Sequence, residues 1–248
     1  MRNDERRKKI LEMLMAEETM KVSDLIESVD GSAATIRRDL NFLEKNGYIL
    51  RTHGSVKYVL PELVQTTEFS SEMIAMAKEA AKLVEDGDTI LMDSGFSTLA
   101  LAYQLTSKND LTVITNSIPI ANLYSSVGRV QTYVTGGFLR PRENALVGND
   151  TVEYLRKMHA HKLFLSTTGV REANGLTCVT PFQADVKKAY IEAADEVILL
   201  ATADKFEKDG LRVFATFDQI DCVVTTASIK SEAIRKDFEN HHIRVIVA

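Results

Sequence analysis

Seven short apolar runs recur from residue 89 to the end of the chain, at 89–92, 111–114, 130–134, 162–165, 197–200, 222–225 and 244–247. The first, Thr89-Ile90-Leu91-Met92, is continuous, the pattern of a strand covered on both faces, and the others repeat it. Helical stretches separate them near 98–106, 118–126, 150–157, 183–194 and 231–239. An earlier helix is expected at 71–85, with Ile74, Ala77, Ala81 and Val84 inward. This alternation predicts a Rossmann-like α/β domain, a mostly parallel sheet with helices on both sides.

The first sixty residues have a different rhythm. Residues 4–16 read as a helix with Ile10, Leu11 and Leu14 as its stripe, and Arg6, Arg7, Lys8 and Lys9 form a solvated basic face near its start. Val22, Leu25, Ile26 and Val29 mark a second helix, and Asp30-Gly31 turns into a third. Ser32 is the expected N-cap of that third helix. Ile36, Leu40 and Leu43 form its apolar back, while Thr35, Arg37, Arg38 and Asn41 point elsewhere. Gly47 is its exit. Two short helices joined by a glycine-containing turn form a helix-turn-helix, whose second helix enters the major groove of DNA. Residues 48–53 and 56–60 then read as a hairpin with Gly54-Ser55 in its turn. Its Arg51, His53 and Lys57 can reach a neighbouring phosphate backbone, as can the basic start of the first helix. The whole is a winged helix. Residues 61–70 lack periodicity and contain Pro61, so they read as a linker between a head at 1–60 and a body at 71–248.

Charge permits this reading but does not drive it. The chain of 248 residues has a net charge of −5. Its first sixty residues carry 11 Lys and Arg against 10 Asp and Glu, a net of +1. Placement of the arginines therefore matters more than total charge. The two cysteines, Cys178 and Cys222, are far apart and match no metal-ligand spacing. No apolar run reaches the roughly 20 residues of a membrane helix, and the charged start is not a secretory signal. A cytoplasmic protein without a cofactor is expected.

In an open parallel sheet, ligands bind beyond the carboxyl ends of the strands. Those ends carry Asp93-Ser94-Gly95-Phe96-Ser97-Thr98, Thr115-Asn116-Ser117, Gly136-Gly137 with Arg140, Gly169, and Thr202-Ala203-Asp204-Lys205. Amides and hydroxyls suit phosphate oxygens, Arg140 or Lys205 supplies charge, and Asp93 and Asn116 suit sugar hydroxyls. One such loop is merely a turn; five together indicate an anionic, phosphate-bearing ligand. Nucleotide P-loop, dinucleotide, zinc-protease and hydrolase-elbow motifs are absent.

The residues Arg6-Arg7-Lys8-Lys9-Ile10-Leu11, Thr35-Ile36-Arg37-Arg38-Asp39-Leu40, Leu43-Glu44 with Gly47, and Arg51-Thr52-His53-Gly54 resemble the DeoR family of bacterial transcription regulators. The body resembles that family's sensor domain, related in fold to ribose-5-phosphate isomerase. Asp93-Ser94-Gly95, Thr115-Asn116-Ser117, Gly136-Gly137, Lys187 and Lys205-Phe206 match its pattern. The resemblance implies a repressor of a carbohydrate operon, working as a homodimer or homotetramer on operator DNA and answering to a phosphorylated sugar. The implied DNA contacts include Ser32, Thr35, Arg37, Arg38 and Asn41, and the implied effector site includes Lys187. Departures are Gly31 for a usual valine, Ser55 for glycine, Phe96 for threonine, Gln183 for glutamate and Thr202 for aspartate. Phe96 and the two lost carboxylates point to an altered pocket; a hydrophobic plug at Phe96 is the other reading. An isomerase-like enzyme carrying a DNA-binding head is the alternative function.

Overall fold

The computed structural model describes residues 3–17, 19–45, 49–52, 54–58, 69–172 and 175–248. It forms two compact units, Met1–Glu68 and Phe69–Ala248. The expected linker residues 61–68 lie outside the described residues, as do Gly47 and His53.

The first unit runs α1 (Asn3–Glu17), β1 (Thr19–Lys21), α2 (Val22–Ser28), α3 (Ala33–Lys45), β2 (Ile49–Thr52) and β3 (Ser55–Tyr58). Ser32 caps α3: its Oγ accepts from the Thr35 amide at 3.2 Å, and its carbonyl accepts from the Ile36 amide at 2.9 Å. The three helical stripes meet in one core of Ile10, Leu14, Leu25, Val29, Ile36, Leu40 and Leu43, which Ile49 and Val56 of the hairpin complete. Full burial of each such side chain is worth roughly 1.5–3 kcal/mol. Strand β3 is central, with β1 and β2 antiparallel on either side. Strand β1 escapes sequence reading because three residues carry no period. Thr52 pairs with Ser55, so Ser55 belongs to the ladder and not to the expected Gly54-Ser55 turn. Gly54, at φ 78°, takes the left-handed position, and Ser55 is drawn into the ladder.

The second unit runs α4 (Ser71–Ala81), β4 (Thr89–Met92), α5 (Phe96–Gln104), β5 (Thr112–Thr115), α6 (Ile118–Val127), β6 (Gln131–Val134), β7 (Phe138–Arg140), β8 (Ala145–Val147), α7 (Asn149–Leu155), β9 (Ala160–Ser166), β10 (Gly169–Arg171), β11 (Gly175–Cys178), α8 (Pro181–Glu192), β12 (Ala194–Ala201), β13 (Arg212–Ala215), β14 (Cys222–Thr225), α9 (Glu232–Asn240) and β15 (Arg244–Val247). All seven apolar runs join one sheet in the order β15-β14-β12-β9-β4-β5-β6, and every pairing in it is parallel.

Alternate strand residues feed two cores, as a period of two requires. Leu91, Leu163, Leu165, Val197 and Leu199 face the layer of α7, α8 and α9. Ile90, Met92, Phe164, Ile198 and Leu200 face α4, α5 and α6. Helix α4 is shorter than expected and turned: Met76, Ala77 and Ala80 are buried, while Ile74 and Ala81 are half-buried. The helix lies along α5, where Met76 enters the core of Leu99 and Leu101. Val84 is buried from the turn after it. The β7–β8 hairpin and the small antiparallel sheet β10-β11-β13 were not legible, being short strands without apolar runs. No helix among the described residues is long and apolar enough to cross a membrane.

The strand order places a switch point at the β4–β9 junction. From β4 the chain proceeds outward through β5 and β6, and from β9 it proceeds the other way through β12, β14 and β15. Crevices open at such junctions because successive connections leave in opposite directions.

Candidate functional site

Helix α3 is held from behind by a buried ion cluster. Asp39 is only 2% exposed. Arg6 Nε lies 2.5 Å from its Oδ2, and Arg7 Nε lies 2.9 Å from its Oδ1. The Arg7 guanidinium also covers the Phe42 ring at 3.7 Å. The expectation of a solvated basic face at 6–9 is thus corrected for Arg6, which is itself buried. A carboxylate removed from water needs countercharge, and Asp39 finds it on α1.

With the back so fixed, Ser32, Arg37, Arg38 and Asn41 are exposed on α3. Thr35 is half-buried, its Oγ1 2.8 Å from Ser32 Oγ. Arg51 reaches the same helix: its Nη2 donates to the Arg37 carbonyl at 3.1 Å, and its Nε lies 3.6 Å from Glu44. Arg51 therefore fastens the wing to α3. Lys57 sits half-buried on β3, opposite Thr19 and Leu50.

At the switch point of the second unit, Asp93 follows β4 and Ser166 ends β9. The Asp93 carboxylate is 2% exposed. Its Oδ1 accepts from the Gly95 amide at 3.0 Å and from Thr98 Oγ1 at 3.0 Å. Its Oδ2 accepts from the Ser166 amide at 3.0 Å, from Ser166 Oγ at 2.7 Å and from Lys187 Nζ of α8. Lys187 also donates to the Ser166 carbonyl at 2.9 Å. Burial alone would push the Asp93 carboxyl up. The Lys187 charge, with hydrogen bonds from Lys187 and Ser166, outweighs burial and holds it below the usual carboxylate range. Gly95 is required here, since a Cβ at that position would collide with Ser166 Oγ.

A second knot lies beside it. Tyr190, one turn after Lys187 on α8, accepts from the Asn116 amide at 2.7 Å. Its own proton can go to Asn116 Oδ1 at 3.1 Å or to the Met92 carbonyl at 3.3 Å. Burial pushes this phenol up, so it stays neutral. Asn116 Nδ2 donates to the Leu146 carbonyl at 2.8 Å, which ties the β7–β8 hairpin to the end of β5. Thr115 Oγ1 donates to the Met92 carbonyl at 2.7 Å, and Ser117 caps α6 through the Ile120 amide. The expectation that Asp93 and Asn116 offer themselves to sugar hydroxyls meets side chains already engaged within the protein.

The groups left open are those around the start of α5. Gly95 supplies no side-chain cap, and the first helical bond runs from the Leu99 amide to its carbonyl. The amides of Phe96, Ser97 and Thr98 therefore have no partner in the helix, at its positive end. Among the described residues the Ser94 and Ser97 hydroxyls have no hydrogen-bond partner either. Thr135, just past β6, is 1% exposed and its Oγ1 has no partner. Gly136 accepts from Thr151 Oγ1 at 2.6 Å, and Gly137, at φ 123°, leaves no room for a Cβ against Val147.

The remaining candidates are more scattered. Arg140 pairs with Glu143 at 2.7 Å, and Gly169 packs against the Lys208 carbonyl. Lys205 lies on a 3-10 turn after β12, 3.7 Å from Asp204. Gln183 completes a capping box with Thr180 at the start of α8, accepting from the Thr180 amide at 3.2 Å. The Phe96 ring is 53% exposed and meets the Phe69 ring edge-on. Sequence reading missed Ser166, Tyr190 and Thr135. The spacing of Tyr190 from Lys187 was a usable signal for one of them.

The family model "DeoR-like helix-turn-helix domain" matches residues 6–62, and "DeoR C terminal sensor domain" matches residues 69–227. The HTH-type transcriptional regulator IolR of Bacillus subtilis is 30% identical over 89% of this chain and 90% of its own length. The transcriptional repressor AccR of Agrobacterium fabrum is 30% identical over 94% of this chain and 96% of its own. Among solved structures, ribose 5-phosphate isomerase A of Methanocaldococcus jannaschii aligns at a TM-score of 0.39 and 17% identity, over 54% of this chain and 53% of that one. On the two family matches and these relatives, the chain belongs to the DeoR family of HTH-type transcriptional regulators.

Proposed function

We propose that this regulator is a repressor of a carbohydrate-metabolism operon. In this reading it binds operator DNA through α3 and is switched by a phosphorylated sugar or similar anionic metabolite in the sensor domain. The carrying observation is α3 itself: a helix pinned from behind by Asp39 that turns Arg37, Arg38, Ser32 and Asn41 outward. Small polar residues let a helix lie deep in a major groove, and arginine reads guanine edges or holds phosphates. Arg51 sets the wing, which brings Lys57 to the flanking backbone. A homodimer or homotetramer supplies the second recognition helix that useful specificity needs.

The effector site is the start of α5. Its open amides and the Ser94 and Ser97 hydroxyls suit phosphate oxygens, and the unpartnered Thr135 hydroxyl marks a second polar contact. Lys205, on the 3-10 turn after β12, and Arg140, the last residue of β7, are the further cations of this reading. Asp93, Lys187, Thr98, Asn116 and Ser117 act as framework that aims these groups. The ligand then biases DNA binding by its differential affinity for two states, typically 1–3 kcal/mol or about 5- to 150-fold.

The test is fluorescence anisotropy of the full chain on duplexes from upstream of its own gene, beside thermal shift against a panel of phosphorylated sugars. Expected are salt-sensitive, sequence-selective binding and a raised melting temperature with at least one sugar phosphate. Indifference to all duplexes at every ionic strength, with no stabilising phosphorylated compound, would overturn the reading.

A further inference from the structure

Phe96 joins two features of the sensor domain. It is the first residue of α5, so its amide is one of the open donors at the proposed effector site. Its ring faces another way and meets Phe69 edge-on, with centroids 5.2 Å apart and planes at 63°. Phe69 in turn meets Tyr103, two turns further along α5, at 5.7 Å and 67°. Phe69 is thus seated between two rings on the same side of α5.

Phe69 is also the first residue of the sensor unit. Directly after it, Ser70 caps α4 by accepting from the Met73 amide at 3.2 Å. Everything on the amino side of Phe69 leads by chain continuity to the DNA-binding domain. One residue therefore presents its backbone to the anion and its side chain to the point where the chain enters the sensor.

We infer that Phe96 is the positioning residue that passes effector occupancy to the DNA-binding domain, through its ring contact with Phe69. This rests on the placement of the effector at α5. An anion held by the Phe96, Ser97 and Thr98 amides fixes the first turn of α5, and with it the Phe96 ring. Phe69 is then held in one seat between Phe96 and Tyr103, whereas a loosened first turn allows a second seat. Loss of one aromatic pair of this kind moves a balanced two-state equilibrium severalfold.

The chain contains no tryptophan, so Phe69→Trp installs a single indole reporter at the contact. In the full-length Phe69→Trp protein, saturating with duplex from upstream of its own gene should shift the indole emission, because coupling is reciprocal. Adding Phe96→Leu should remove most of that shift. An emission unchanged by DNA, or a shift that survives Phe96→Leu intact, overturns the proposal without any effector being involved. The second arm titrates inorganic phosphate against the same proteins, with thermal shift as an independent measure of binding. Stabilisation by phosphate with a matching indole response that Phe96→Leu abolishes supports the proposal. Stabilisation with a silent indole overturns it. An absence of stabilisation instead counts against the effector site, and the DNA arm still decides the Phe96 contact.

Discussion

Lys187 on α8 donates to the carboxylate of Asp93, 94 residues earlier in the chain, and both side chains are buried where the parallel sheet changes direction. The pair joins the end of β4 to α8 and, through Ser166, to the end of β9. A buried ion pair of this kind is costly to break singly, since the surviving charge is left uncompensated.

Asp93→Ala should therefore destabilise the sensor domain by about 3–5 kcal/mol at pH 7, measured by urea unfolding. The pH dependence has a definite sign. The folded Asp93 carboxyl titrates below its ordinary range, so its contribution is complete above about pH 4 and is lost as the pH falls below that. Wild-type stability should decline in that acidic window more steeply than the variant's. A loss under 1 kcal/mol, or parallel pH profiles, would show that the pair does not hold the switch point together.

Gly95→Ala inserts a methyl group against Ser166 Oγ. Overpacking of this type costs roughly 1–3 kcal/mol. Combining it with Ser166→Gly should recover part of the loss, so the two changes will be non-additive in thermal denaturation. Simple additivity would mean the loop relaxes around the new methyl.

Arg37→Ala and Arg38→Ala remove exposed side chains, so stability should change by less than about 0.5 kcal/mol. Each should weaken operator binding by ~1–3 kcal/mol, about 5- to 150-fold, in anisotropy titrations. A phosphate-contacting arginine also lowers the slope of log K against log salt by about one when removed. Unchanged affinity in both variants would remove α3 from the groove.

Asp39→Ala acts on the other side of that helix. It removes the buried carboxylate that Arg6 and Arg7 both grip and should cost about 3 kcal/mol or more in the DNA-binding domain. Operator binding should fall sharply while stabilisation by a phosphorylated ligand persists in thermal shift. Full DNA affinity in this variant would make the cluster dispensable for presenting α3.

Much of this architecture could be read from local pattern. The seven apolar runs all became strands of one sheet, and Ile36, Leu40 and Leu43 all reached the core of the head, because burial of a strand or helix face imposes its period on the sequence. The Ser32 cap was legible for the same reason, as its partner lies three residues away. Short elements such as β1 and β10, three residues each, carry too few residues to express a period.

Sequence by itself determined the order of elements, the faces they bury, the strand-end loops and the family, since all of these are encoded within a few turns of chain. Only the tertiary structure decided what the polar residues do. Arg6 reads as a solvated cation until Asp39 arrives from 33 positions away, and Asp93 reads as an open carboxylate until Ser166 and Lys187 donate to it from 73 and 94 positions away. The reason is physical: a carboxylate's task is set by which donors share its buried volume, and those donors come from segments whose proximity no local spacing records.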